Sequence, residues 1–309
     1  MEKITKRVAG TSNIPAEYLT EYPPIPKSVK IELTSRCDLQ CIFCSLTYKE
    51  RATGDINRDF LFRLLAELSE AGVEEVGLFW LGEPLLVSAL PEYVAYAKKI
   101  GIKYVFITTN GRLATPKMIT PLIESGIDSI KFSINANNRE NYLKLCGVDA
   151  FDKIISNLKS TWEIRGNKEK PAIYASSIFD PNNREIFEEI HSRVMPYVDE
   201  HYPLRMYGKA TLSEQLYGVQ LTSEPIIKPR SLEDMLPCWS LFTLPHISYE
   251  GHLSACYCDH DPRLFMADLN KLSFKKAWHS PKLVELRKQH LKRDVTGYAC
   301  ENCIAYNHL

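Results

Sequence analysis

The stretch Val29-Lys-Ile-Glu-Leu-Thr34-Ser-Arg-Cys37-Asp-Leu-Gln-Cys41-Ile-Phe-Cys44 joins the two signals that decide how this chain is built. Residues 29–34 alternate apolar and polar side chains with the period of a strand. Three cysteines follow at once, spaced C-x3-C-x2-C, on the loop that leaves the strand. The strand signal then recurs downstream. Leu61, Leu64, Leu65 and Leu68 mark one helical face that stops near Gly72. Strands are predicted over 76–80, 104–108, 129–134, 172–178 and near 203–207. Between them lie helices over 91–100, 116–125, 138–145, 151–165 and 183–194. Six strands alternating with helices predict an α/β fold with a parallel sheet of βαβ units. Six repeats suit a partial (β/α)6 barrel better than a closed eight-fold one.

Outward from this core (residues 29–207), the remaining segments read differently. Residues 1–28 carry Pro15, Pro23, Pro24 and Pro26 and predict an extended N-terminal lead-in. Residues 208–237 hold Gly218, Pro225, Pro229 and Pro237 without periodicity and read as a linker. Residues 238–309 form a small α+β module, with a hairpin around Glu250-Gly251, a helix near 273–290 and a terminal cysteine pair. The 309 residues balance 38 Lys and Arg against 38 Asp and Glu, so no net charge draws the chain to nucleic acid or to acidic membranes. No apolar run approaches the ~20 residues of a membrane span. The N-terminus lacks the apolar stretch of a secretory signal, and a cytoplasmic location is the expectation.

Nine cysteines, an odd number, lie at 37, 41, 44, 146, 238, 256, 258, 300 and 303. Clustering of this kind points to metal ligands or catalytic thiols rather than to a disulfide framework. The first three fall short of the four ligands a structural zinc site takes, and suit an iron–sulfur cluster with one iron left open. Incidental core cysteines or a structural zinc are the plainer alternatives. On this motif the segment resembles the radical S-adenosylmethionine (SAM) enzymes, and further elements fall where that family places them. Phe43 matches the aromatic position near the adenine. Gly82-Glu83-Pro84 resembles the family's Gly-Gly-Glu-Pro motif, with Leu81 in place of its first glycine. Thr108-Thr109-Asn110-Gly111 closes the third strand, and Ser133-Ile-Asn135 ends the fourth, where polar SAM contacts are found. The resemblance implies that Cys37, Cys41 and Cys44 hold a SAM-binding 4Fe-4S cluster. It also implies that Phe43, Gly82, Glu83, Pro84, Thr109, Asn110, Ser133 and Asn135 surround the cofactor. Taken singly, Phe43 and Ser133 read as ordinary packing, and Glu83 as a solvated loop carboxylate.

The second cysteine set reads Cys238, twelve residues, Gly251, four residues, Cys256, and later Cys300-Glu-Asn-Cys303. This resembles the auxiliary-cluster modules called SPASM and their shortened twitch form. The resemblance implies a second 4Fe-4S cluster on Cys238, Cys256, Cys300 and Cys303. A zinc ribbon-like site is the alternative for four cysteines in two pairs. Cys146 reads as a small buried hydrophobe. Cys258 stands two residues after a proposed ligand, so on a strand both side chains would share a face.

The family chemistry implied is removal of hydrogen from an unactivated C–H bond by a 5′-deoxyadenosyl radical, with electrons from a flavodoxin- or ferredoxin-type donor. The module is similar to those of twitch-like enzymes acting on aminocyclitols and aminoglycosides, which implies a small carbohydrate-type substrate. Within that group, Cys258 resembles the hydrogen-donating cysteine of radical epimerases, and the auxiliary ligands resemble those of a radical dehydrogenase. Epimerisation with Cys258 as donor is the expectation. Oxidation of a secondary alcohol, maturation of a ribosomal peptide, and a non-catalytic metal-binding scaffold are the alternatives. For peptide maturation, the 36 residues before Cys37 give the expectation of no fused leader-peptide recognition domain of the usual kind, with a separate recognition protein supplying that role. Asn135, Tyr174, Arg205, Tyr207, Asp259 and His260 are further polar candidates for substrate contact.

Overall fold

The computed structural model describes residues 3–44, 46, 49–179, 184–205, 236–259, 261, 264–301 and 303. Its strands are β1 (Ser28–Ile31), β2 (Glu75–Gly77), β3 (Tyr104–Thr109), β4 (Ser129–Ser133), β5 (Ala172–Phe179), β6 (Glu200–Arg205), β7 (His246–Ile247), β8 (His252–Ser254) and β9 (Phe265–Asp268). Its helices are α1 (Ile4–Ser12), α2 (Arg58–Glu70), α3 (Leu90–Lys99), α4 (Pro116–Glu124), α5 (Arg139–Cys146), α6 (Phe151–Arg165), α7 (Arg184–Val194), α8 (Phe274–Trp278) and α9 (Pro281–Lys292).

β1 to β6 pair in parallel and in chain order, as the alternation of strands and helices requires. Leu61, Leu64, Leu65 and Leu68 of α2 are fully buried, and Asn57 caps that helix by accepting from the Phe60 N–H at 2.9 Å. Along β1, Val29 and Ile31 face the buried layer while Lys30 lines a central cavity. Side chains from all six strands line that one cavity, so the sheet curls around it as an open barrel.

The structure departs from the sequence reading in four places. The lead-in is helical where prolines are absent: α1 runs from Ile4 to Ser12, and the extended stretch comes after it. The helix is anchored under the sheet. Arg7 pairs with Glu75 at 2.8 Å and lies 3.2 Å over the Tyr104 ring, and Thr5 donates to Glu200 at 2.6 Å. Glu75, Tyr104 and Glu200 are the first residues of β2, β3 and β6, so α1 closes the end of the barrel where the strands begin.

The last core strand starts at Glu200, ahead of its predicted position, and contains Pro203. It is the outermost strand on its side, where proline's missing N–H costs no ladder bond. The helix expected near 273–290 is two helices, because Pro281 opens α9 at its first turn and cannot continue α8. Finally, the C-terminal module adds no separate sheet. β7 runs parallel to β1, and β8 and β9 follow antiparallel, making one nine-stranded sheet among the described residues. The hairpin forms where expected. Gly251 adopts φ +88°, and a Cβ there would meet Asn270 at 2.7 Å and Phe60 at 2.9 Å. The 208–237 linker, Tyr207 and His260 lie outside the described residues, apart from Leu236 and Pro237 at the linker's end. Among the described residues no helix is long and apolar enough to cross a membrane.

Candidate active site

The loop after β1 is fixed from two sides. The Gln40 and Ile42 N–H groups donate to the Cys146 and Leu145 carbonyls at 3.0 Å, docking the loop on the end of α5. Asp38, inside the cysteine motif, accepts from Asn110 Nδ2 and from Arg112 Nη1, each at 2.8 Å. Asn110 Nδ2 also lies 3.9 Å from Cys37 Sγ. Cys146 is buried, as expected, and its thiol hydrogen-bonds Cys41. Cys37, Cys41 and Cys44 are half-buried and free of disulfides. Burial pushes the Cys37 thiol up to about 12, with Glu83, Asp38 and Cys44 adding negative potential.

Gly82-Glu83-Pro84 follows β2. A Cβ on Gly82 would stand 2.1 Å from the Thr34 carbonyl oxygen and 2.7 Å from that of Arg36. Both are backbone atoms, so no side chain can swing away. Gly82→Ala should lower stability by about 3 kcal/mol. At this chain length that is a melting temperature lower by roughly 6 °C or more in calorimetry. An unchanged melting temperature would show that the two loops part freely. The Glu83 carboxylate is buried, not solvated. It accepts from Leu85 N at 3.0 Å, Thr109 Oγ1 at 2.7 Å and Asn110 N at 2.8 Å. Burial moves its pKa up to about 7, against those three donors. Thr109 is thus turned onto Glu83, and the pair holds the loops after β2 and β3 together. Ser133, the last residue of β4, and Asn135, two residues beyond it, are half-buried, with Asn135 Oδ1 accepting from Ile178 N at 3.0 Å.

In the second set, Cys238, Cys256, Cys300 and Cys303 come together. The Cys238 thiol is raised by burial and then by the three others, and Cys300 is pushed up to about 12 by burial, Cys256 and Cys303. The Cys238 N–H donates to His290 Nδ1 at 3.2 Å. β8 ends at Ser254, so residues 256–258 form a turn rather than the strand on which a shared face was expected. The turn still brings the thiols together: Cys258 N lies 3.3 Å from Cys256 Sγ, and the two side chains hydrogen-bond. Asp259 closes this turn by accepting from Leu264 N at 2.8 Å, and Tyr174 is buried in β5.

One cavity of about 520 Å³ is lined by Phe43 and Cys44 from the first set and by Tyr257 and Cys258 from the second. Trp80 spans the sets, donating to the Tyr257 carbonyl at 2.7 Å. The sequence reading passed over Asp38 and Arg112, whose ion pair is formed by tertiary packing. It also passed over Lys30 and Lys131, for which a signal existed. Core strands covered on both faces read as nearly continuous apolar runs, and Val29-Lys-Ile31 and Ile130-Lys-Phe132 each break one with a lysine.

Among the described residues no three His, Cys, Asp or Glu side chains converge on a single-ion site. The fit to a cluster rests on donor chemistry. Two sets of thiols outside any disulfide lie at loop ends, each crowded by neighbouring thiols and carboxylates that disfavour ionisation until a cation is bound.

A thiol loop at the strand ends of an open parallel barrel thus faces a second thiol set across one cavity. Residues 31–163 match the model of the Radical SAM superfamily, and residues 238–304 match SPASM, an iron-sulfur cluster-binding domain. The chain thus carries a Radical SAM domain over residues 31–163 and a SPASM domain over residues 238–304. SAM and a 4Fe-4S cluster are its cofactors, and the module is an auxiliary iron–sulfur site rather than a zinc ribbon. Over 138 residues the chain is 32% identical to the "Probable GTP 3′,8-cyclase" of Saccharolobus islandicus, covering 45% of this chain and 44% of that protein. The match thus spans less than half the length of that curated relative. The fold is similar to that of BtrN in complex with AdoMet and 2-DOIA (TM-score 0.58, 17% identity, 92% of each chain). It is also similar to Streptococcus suis SuiB bound to precursor peptide SuiA (TM-score 0.65, 17% identity, 85% of this chain and 67% of that one).

Proposed function

We propose that this enzyme removes a C–H hydrogen from a carbohydrate-type substrate held in the barrel cavity and returns hydrogen to the opposite face from Cys258, inverting the carbon. The observation that carries this reading is that Cys44 and Cys258 line one cavity, so a molecule within it lies between the two sets. Cys37, Cys41 and Cys44 would hold the SAM-binding cluster, and Cys238, Cys256, Cys300 and Cys303 the auxiliary one. When bound, the first cluster and SAM supply a 5′-deoxyadenosyl radical able to take hydrogen from carbon.

The chain's own residues do the rest. The Glu83–Thr109–Asn110 bonds and the Asp38–Arg112 pair fix the loops around SAM. Helix α1 closes the barrel's lower end and excludes water from a reactive carbon centre. Trp80, Trp239 and Tyr257 offer aromatic faces for the apolar side of a sugar ring. Cys258 transfers one hydrogen atom from sulfur to carbon: the S–H bond breaks, the C–H bond forms, and the sulfur radical regains one electron and one proton. A flavodoxin- or ferredoxin-type protein supplies that electron.

The test is turnover in heavy water. Thiol protons exchange with solvent, so inverted product should carry one deuterium at the inverted carbon. Product oxidised by two electrons and free of solvent deuterium would instead establish a dehydrogenase.

A further inference from the structure

Two lysines stand inside the barrel, and among the described residues neither has a counter-charge. Lys30 lies on β1 and Lys131 on β4, with two strands between them, and both line the cavity that reaches Cys44 and Cys258. Lys131 Nζ donates to the Tyr202 hydroxyl at 3.3 Å, and the Lys30 ammonium sits 5.3 Å from the Phe79 ring centre. Among the described residues no carboxylate neutralises either lysine. The lining carboxylate, Glu75, is taken by Arg7 at 2.8 Å. His246, level with Lys30 on the neighbouring strand, is buried and held uncharged by that burial and by Lys30. Burial lowers Lys30 to about 7, with Lys131 contributing, and lowers Lys131 to about 8. Such groups weaken a fold, and apolar side chains of similar length would remove the penalty. A ligand that offers negative charge also removes it.

We infer that the chamber is built for an acidic substrate, whose carboxylate or phosphate is gripped by Lys30 and Lys131 from two walls of the barrel. The inference rests on reading this cavity as the substrate site, and it deepens that reading by assigning a charge. Within the carbohydrate class it favours an acid sugar or sugar phosphate over an amino sugar, whose ammonium groups would meet two more. It also divides the cavity by role: anchoring charge deep among the strands, and hydrogen chemistry at the end bounded by cysteines.

Four hexoses on one scaffold test it: glucose 6-phosphate, glucuronate, glucose and glucosamine, each titrated calorimetrically into the anaerobically reconstituted enzyme with SAM bound. At least one acidic hexose should bind tenfold or more tighter than glucose, with glucosamine weaker than glucose. Which acid prevails separates phosphate from carboxylate. Lys30→Met and Lys131→Met should each weaken the acid by roughly tenfold or more, the range of a charge-assisted hydrogen bond. Both should also melt at or above the wild-type temperature, because an uncompensated charge is gone. Lys131→Arg should keep most of the affinity. Equal or tighter binding of glucosamine, acid affinity unmoved by both Met variants, or no acid binding at millimolar concentration would each overturn the inference. 5′-Deoxyadenosine release by the wild type is followed in parallel. Its absence would count against the radical reaction and leave the charge preference standing.

Discussion

Replacing Cys37, Cys41 and Cys44 together by Ala should remove about four iron atoms per chain and abolish 5′-deoxyadenosine formation. The three thiols are the donor set offered at the end of β1, and among the described residues no further cysteine of the loop could replace them. Cys146 is the nearest candidate, since it hydrogen-bonds Cys41. Its carbonyl is tied to Gln40 and its side chain is buried on α5, so it cannot take over a loop position. Iron analysis and chromatography of SAM cleavage products, both anaerobic, provide the check. The module should keep its own iron in this variant. Undiminished 5′-deoxyadenosine would sink the assignment of these cysteines.

Cys258→Ala should retain the iron of both sites and go on forming 5′-deoxyadenosine, yet give no inverted product. The expectation follows from position: Cys258 lines the cavity, whereas Cys238 has Cys256, Cys300 and Cys303 as its electrostatic neighbours. A neutral S–H is what a carbon radical can use. The hydrogen bond with Cys258, and then burial, raise the Cys256 thiol well above its usual range. Loss of auxiliary iron in Cys258→Ala would make Cys258 a ligand and move the donor elsewhere. Unchanged product with unchanged iron would remove it from the chemistry altogether.

The features legible in the sequence are those that local spacing writes down. The leucines of α2 repeat with the helical period, and all four are buried. C-x3-C-x2-C needs only a loop, and Gly251 needs only a tight turn. What escaped is set by partners distant in the chain. Nothing near Ile4 says that Arg7 will find Glu75 and Tyr104, so the lead-in was read from its prolines. Taken singly, Glu83 reads as a loop carboxylate because its donors lie 26 and 27 residues away at Thr109 and Asn110. The Cys256–Cys258 proximity was anticipated through a strand and is achieved by a turn. The lysines are visible in the sequence as breaks in the apolar runs Val29-Lys-Ile31 and Ile130-Lys-Phe132. Their meaning depended on closure of the barrel around them.

The join between β7 and β1 bears on how the chain can be cut. Lys30 N donates to the Pro245 carbonyl and Glu32 N to that of Ile247, at 3.1 and 2.8 Å. Farther out, Phe274 N reaches Glu67, and the Trp278 indole donates to the Pro24 carbonyl at 2.9 Å. Expressed alone, residues 238–309 would present a two-residue strand with a bare hydrogen-bonding edge and a Trp278 indole without its Pro24 partner. The segment is separable to the eye of a sequence reader and inseparable to the folding chain. The iron–sulfur module is a graft, viable only on the stem supplied by β1.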